Sequence, residues 1–385
     1  MTGLLAVPTY VRLPAHAEQL RHEVRTFLTD AVHTGVFVPQ VDAWLAGFSA
    51  SFSKQLGARG WLGMTWPKRF GGHERSSLER FVVIEELLAA GAPVAAHWVA
   101  DRQSGPALLR YGTLAQQQEF LPAMARGELY FAIGMSEPDS GSDLASVRTR
   151  CRSVEGGWRV SGTKVWTSHA HRSGYMIALC RSSERDSDDR HSGLTQLIVD
   201  LSVPGVTVNP IRLLDGEHHF NEVVLDDIFV PESRVLGSPG SGWAQVTSEL
   251  AHERSGPERF LSTFPVFVAL VDVLSADPQP AAAAVGELWA QLHVLRDLSV
   301  AVASALDSGQ APDVAAAIVK DLGTRFESHL IDVARELVPT EPSLAGPSPL
   351  ERTLAQAVLH APGFTLRGGT NEILRGITAR GLGLR

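Results

Sequence analysis

The period of the apolar residues changes twice along this chain, and no feature narrows its possible folds more. From about Ala15 to Arg126 apolar residues recur every three or four positions, as on one face of a helix, in Ala17–Thr34, Ser77–Ala90 and Leu114–Arg126. After Gly127 the period drops to two. Trp158–Val165, Tyr175–Arg181, Leu194–Leu201, Val206–Leu213 and Glu222–Val230 are short, alternating or β-branched, and bounded by Gly, Pro, Asp or Ser. From Gly242 the helical period returns in Ala244–Ser255, Ala281–Ser308, Val314–Leu337 and Leu350–His360, with Ala-rich faces suited to close packing. The expectation is an α+β chain with an N-terminal α-helical domain (1–127), a small middle β-sheet domain (128–236) and a C-terminal helical bundle (237–385).

Breaks fall where backbone chemistry puts them. Trp61–Gly72 interrupts the first helices with an aromatic-rich, rigid loop, since Pro67 disfavours helix at Trp66, and packing is its expected role. Asp277–Pro280 and Pro339–Pro349 hold several prolines each and are expected to connect helices. The polar insert Ser182–Ser192 has nothing to bury and reads as a surface hairpin loop. Glu85-Glu86 are adjacent on a helix and point about 100° apart, so a solvated face is expected rather than a paired acid and base.

A chain of 385 residues with 20% charged and 44% hydrophobic residues has the composition of a globular protein, which excludes disordered and fibrous classes. The net charge of −8, without a basic block, offers no footprint for nucleic acid or an anionic membrane. No run of eighteen apolar residues and no secretory leader pattern occurs, so a cytoplasmic chain is expected. Cys151 and Cys180 lack metal-ligand spacing, and no carboxylate or Cys completes a set with His169, His171, His218 and His219; neither a disulfide framework nor a metal centre is expected. These histidines read as loop hydrogen-bonders.

The chemistry concentrates in Phe131–Ser168. Glu137-Pro138-Asp139-Ser140-Gly141-Ser142-Asp143 is a turn-rich binding loop, and Trp158–Trp166 is an alternating strand that delivers an aromatic ring and the exposed-looking hydroxyls of Thr167 and Ser168 to a strand end.

Three motifs in order, Met135-Ser136-Glu137-Pro138 with Gly141-Ser142-Asp143, Gly162-Thr163-Lys164-Val165-Trp166-Thr167-Ser168, and Gly368-Gly369-Thr370-Asn371-Glu372-Ile373-Leu374-Arg375, give the chain a resemblance to the acyl-CoA dehydrogenase family of flavoproteins over nearly its whole length. The resemblance implies FAD as cofactor, held by Met135, Ser136, Gly141, Ser142, Trp166, Ser168, Thr370 and Glu372, with Trp166 packed on the flavin ring and Ser168 donating toward its N5. It implies α-proton removal from an acyl-CoA thioester with transfer of a β hydride to the flavin, giving a trans-2-enoyl thioester, and an electron-transfer flavoprotein as acceptor. Many members place the base immediately before the last Gly-Thr, where this chain has Gly368. Other branches place it on a C-terminal-domain helix in a Glu-Arg pair, which makes Glu253 of Glu253-Arg254 the candidate base and Glu249 the next; Pro257 is expected to bend or end that helix. Gly368 keeps a backbone N–H for the thioester oxygen, and Ser142, Arg254 and Arg367 are the candidate substrate contacts.

The Arg-x-x-Phe-Gly and Gln-x-x-Gly-Gly segments by which many members complete a neighbour's flavin site are absent; Arg259-Phe260 through Pro265 and Glu341–Pro349 stand there instead. A homo- or hetero-oligomer, dimer or tetramer, is implied. Three readings stay open: a dehydrogenase, a half-site subunit completing a flavin site on a homologous chain, and an acyl thioester oxidase.

Overall fold

The computed structural model describes residues 10–184, 188–253, 256–310 and 312–384, with the side chains of 249–253 outside that description. In chain order these residues run through helices α1 (Ala15–His33), α2 (Ala50–Ala58), α3 (Ser77–Ala89), α4 (Ala95–Val99), α5 (Gly105–Tyr111) and α6 (Leu114–Ala125). Strands follow: β1 (Phe131–Gly134), β2 (Arg150–Val154), β3 (Gly157–Ser168), β4 (Tyr175–Arg181), β5 (Leu194–Asp200), β6 (Val206–Ile211), β7 (Phe220–Pro231) and β8 (Val235–Leu236). The helices α7 (Gly242–Glu253), α8 (Phe264–Leu274), α9 (Ala282–Asp307), α10 (Asp313–Leu337), α11 (Pro349–Phe364) and α12 (Asn371–Gly381) complete the chain. The expected α+β class, with helices before and after one sheet, is what the chain adopts.

Two compact units form. One comprises Met1–Phe48, Arg75–Val94 and Ala251–Arg385; the other comprises Ser49–Glu74 and Ala95–Leu250. In the second unit the sheet runs β6-β7-β3-β2-β4-β5-β8, with β1 paired in parallel to β4. Its core is the inward face of alternating strands, including Val160, Ala178, Leu197, Val199, Val223 and Ile228. Cys151 and Cys180 lie in this core as free thiols, 3% and 0% exposed. β4 and β5 pair antiparallel around the polar insert, whose residues 185–187 lie outside the described residues. Trp61, Trp66 and Phe70 of the aromatic loop are buried, in keeping with a packing role.

In the first unit α8, α10 and α11 bury Val266, Leu270, Ile331, Leu350, Leu354 and Phe364 together. α8 is rich in Val and mostly apolar, yet Pro265 at its first turn and burial against its neighbours make it a helix. One expectation fails here. Glu85 and Glu86 of α3 are not on a solvated face but are 7% and 6% exposed. Arg21 donates to both, Arg25 Nε to Glu86 at 2.7 Å and Arg296 Nε to Glu85 at 2.6 Å. The cations that pay for this burial are on α1 and α9, too far along the chain for local spacing to reveal.

Candidate functional site

The Met135–Asp143 loop owes its shape to one buried ion pair. Lys164 on β3 is fully buried, and its Nζ donates to Glu137 Oε1 at 2.7 Å and to the Met135 carbonyl at 3.2 Å. Glu137 also accepts the Arg148 and Thr149 N–H groups at 2.6 and 2.9 Å. Burial alone pushes the Glu137 carboxyl up, but Lys164, Thr149 and Arg148 together hold it below its usual range, so it stays ionised. Glu137 and Ser140 exchange backbone bonds of 2.7 and 3.0 Å around Pro138-Asp139, and the Ser140 hydroxyl closes on the Asp143 carbonyl at 2.7 Å. Gly141 and Ser142 are left exposed at the loop's tip, beside Asp143, which pairs with Arg190 of the insert. The motif residues Glu137 and Lys164 thus position the loop, a role their spacing does not disclose.

A β-bulge presents the aromatic ring. Lys164 pairs with Val223 and Thr167 with Asn221, so Val165 and Trp166 together face the single residue Glu222. Trp166 takes φ +58° and its side chain turns outward, 56% exposed, edge-on to Phe220 at 5.7 Å. The same bulge frees the Val165 N–H, which donates to the Ser136 carbonyl at 2.9 Å. The structure therefore brings Met135, Ser136, Trp166 and Ser168 together as one wall. Thr167, expected to be exposed, is fully buried because the bulge turns it inward, and its hydroxyl has no hydrogen-bond partner among the described residues; Ser168 is half-buried. His169 and His219 are buried behind the strand end, and the rings of His171 and His218 lie 4.1 Å apart. Among the described residues no group of three His, Cys, Asp or Glu could hold a metal.

An outward indole flanked by a rigid loop and hydroxyls fits a flat polycyclic ring with a polar edge, which is the shape of a flavin.

The other candidates lie in the first unit, apart from Glu249, which falls in the second. Helix α7 is described as far as Glu253, residues 254 and 255 lie outside the described residues, and a 3₁₀ turn occupies Pro257–Arg259. The Glu253 and Glu249 side chains and all of Arg254 lie outside the described residues. Gly368 and Gly369 have φ of +66° and +86°. A Cβ on Gly368 would stand 2.7 Å from Nη2 of Arg259, a residue 1% exposed, next to Glu258, also 1% exposed. Glu258-Arg259 is a second Glu-Arg pair, five residues after Glu253-Arg254, and that repetition was the available signal for it. Arg367 does not present a free guanidinium. Its Nη1 bonds Asp42, its Nη2 donates to Ser262 Oγ at 2.8 Å and lies 3.7 Å from Glu327, and the group stacks on Trp44 and Phe364. Asp42 is held ionised: burial pushes its carboxyl up, but Arg367 and His360 outweigh that and bring it below its ordinary value. Thr370 caps α12, accepting the Ile373 N–H at 3.4 Å, and Glu372 is exposed in its first turn.

Comparison with known proteins agrees along the chain. The models of the acyl-CoA dehydrogenase N-terminal, middle and C-terminal domains match residues 14–128, 132–228 and 275–383. The chain is 32% identical over 384 residues to acyl-CoA dehydrogenase FadE29 of Mycobacterium tuberculosis, covering 96% of this chain and 97% of that protein. Among solved structures, the Tcur3481-Tcur3483 steroid ACAD superposes with a TM-score of 0.84 at 28% identity, over 97% of this chain and 98% of that one. The ChsE4-ChsE5 complex of Mycobacterium tuberculosis gives 0.82 at 26%, over 97% and 98%.

Proposed function

We propose, for a chain that belongs to the acyl-CoA dehydrogenase family, that it converts an acyl-CoA thioester to the trans-2-enoyl thioester and passes the electrons to an electron-transfer flavoprotein. Family membership makes the protein an oxidoreductase and FAD its cofactor. The observation that carries the reading is the bulge at Val165-Trp166, which turns an indole outward beside Met135, Ser136 and Ser168.

FAD supplies the hydride acceptor. Around it, Met135, Ser136 and Ser168 hold the polar edge of the ring system and Trp166 covers its face, while Gly141, Thr370 and Glu372 are the remaining proposed cofactor contacts. The exposed Ser142 receives the thioester arm. The Gly368 N–H donates to the thioester oxygen, where negative charge grows as the α proton leaves. Two glutamates are candidates for the base, Glu253 and Glu258. The approach of Arg259 to Gly368 favours Glu258, because it sets that Glu-Arg pair beside the loop that replaces the missing carboxylate. Arg254 is a proposed substrate contact, while Arg367, engaged by Asp42, Ser262 and Glu327, acts on the Gly368 loop instead of reaching the acyl group.

The test is anaerobic titration of the purified yellow protein with acyl-CoA. Glu258→Gln should keep its flavin and lose bleaching, and Glu253→Gln should bleach. The reverse pattern would assign the base to Glu253, and bleaching by the double variant would remove both.

A second reading draws on Gly368, which gives this chain no carboxylate at the common position: a half-site subunit paired with a homologous chain. A protein colourless alone that turns yellow only with such a partner would support it. One structural relative is titled a steroid ACAD, so ring-bearing acyl groups are the first substrates to try.

A further inference from the structure

The loop between α11 and α12 contains two successive glycines in left-handed conformation, and such a backbone has little intrinsic reason to keep one direction. Its ends are tied by backbone bonds: Leu366 and Arg367 N–H donate to the Gly363 carbonyl at 3.1 and 3.2 Å, and Asn371 N–H donates to the Thr365 carbonyl at 3.2 Å. Between them, the Gly368 N–H has no acceptor among the described residues.

Buried charges from other elements hold what the loop cannot. Lys320 on α10 is fully buried, and its Nζ donates to the Thr365 carbonyl at 3.2 Å and to Asn371 Oδ1 at 2.8 Å. One nitrogen thereby ties the residue entering the loop to the residue leaving it. Thr324, one turn further along α10, adds a 3.3 Å contact to the same Asn371 oxygen. At the loop's centre Arg367 is fixed by Asp42, Ser262 and Glu327, two of them carboxylates 2% and 0% exposed. The Arg259 guanidinium closes the side on which a residue at 368 would place its Cβ. Apolar side chains would hold helices together without the desolvation cost of a buried ion. Directional hydrogen bonds to a loop are what an apolar brace cannot provide.

We propose that Lys320 and Arg367 are positioning residues that keep the Gly368 N–H aimed at the thioester oxygen, Lys320 by closing the loop's two ends and Arg367 by anchoring its middle. The proposal rests on the dehydrogenase reading for the identity of the oxygen. Neither side chain touches substrate; both act through the loop. Losing either leaves acyl-CoA binding mostly intact and weakens stabilisation of the developing oxyanion, because the donor is no longer preorganised.

The probe is furylacryloyl-CoA bound to the holoenzyme, whose absorption moves to longer wavelength as its thioester carbonyl is polarised. Lys320→Met should at least halve that red shift and lower kcat about tenfold while KM changes by less than about threefold. Asn371→Ala removes the same link from the loop side, should do the same, and serves where Lys320→Met yields no holoenzyme. A full red shift and full kcat in these variants would overturn the proposal, as would a KM effect with kcat unchanged. Wild type that turns over acyl-CoA without shifting the probe removes the brace and leaves the dehydrogenase reading. Wild type that shifts the probe without turnover removes that reading, and the variants' shifts still decide the brace. Wild type that does neither removes both.

Discussion

Gly368 is constrained from two directions. Its φ of +66° belongs to glycine, and the Arg259 guanidinium occupies the place where any larger residue would begin. Gly368→Ala should therefore cost about 1–3 kcal/mol of stability through backbone strain and displacement of a buried cation. Urea unfolding of the holo-protein measures it, and a cost under about 0.5 kcal/mol would mean that Arg259 moves aside freely. The same geometry says that restoring a glutamate at this position does not restore the common form of the site. Arg259 would first have to leave. At this scale the sequence was only partly legible: Gly368 could be seen to lack the carboxylate, but the side chain that fills its place lies more than a hundred residues away in the chain.

At the scale of elements, α10 carries two groups whose ionisation opposes the fold in different pH ranges. Burial pushes Glu327 up to about 7, against Arg367 and Ser262. The folded chain then holds a proton that the unfolded chain releases near 4.5, so stability falls as pH rises from about 4.5 to 7. Burial, then Arg259 and Arg367, push Lys320 down to about 7, whereas the unfolded lysine keeps its proton to about 10.5, so stability rises with pH between those values. The two limbs meet in a minimum near neutrality. Denaturant titrations from pH 5 to 10 should show it, with each limb on the order of 3–5 kcal/mol deep. Glu327→Gln should flatten the acid limb and Lys320→Met the alkaline one; an unchanged curve in both would place the titration elsewhere.

Elements were legible where local pattern carried them. Tyr175–Arg181 was read to the residue, and the capping boxes Ser76/Glu79 and Thr113/Gln116 begin helices α3 and α6 where the periodicity placed them. β1, β2 and β8 were not read, because strands of four, five and two residues are fixed by their neighbours in the sheet and not by their own alternation. α8 was hidden by its β-branched composition. The flavin wall was found from motifs, while the bulge that turns Trp166 outward is a mismatch between two strands and has no local signature.

For the whole molecule, cofactor and fold are linked. A group that binds only the folded chain stabilises it by mass action, about 2.7 kcal/mol at a free concentration one hundred times its Kd. Protein stripped of FAD should melt at lower temperature than the yellow form and recover as FAD is added; a melting curve indifferent to FAD would argue for the half-site reading. Among the described residues no helix is long and apolar enough to cross a membrane.

Cys151 and Cys180 give those measurements a second channel. Both thiols sit in the sheet core with essentially no surface, so a maleimide reaches them only in molecules whose sheet has opened. Labelling counts openings of the scaffold while the yellow colour counts intact cofactor sites. Comparing the two clocks tells whether the protein loses its flavin before it loses its sheet.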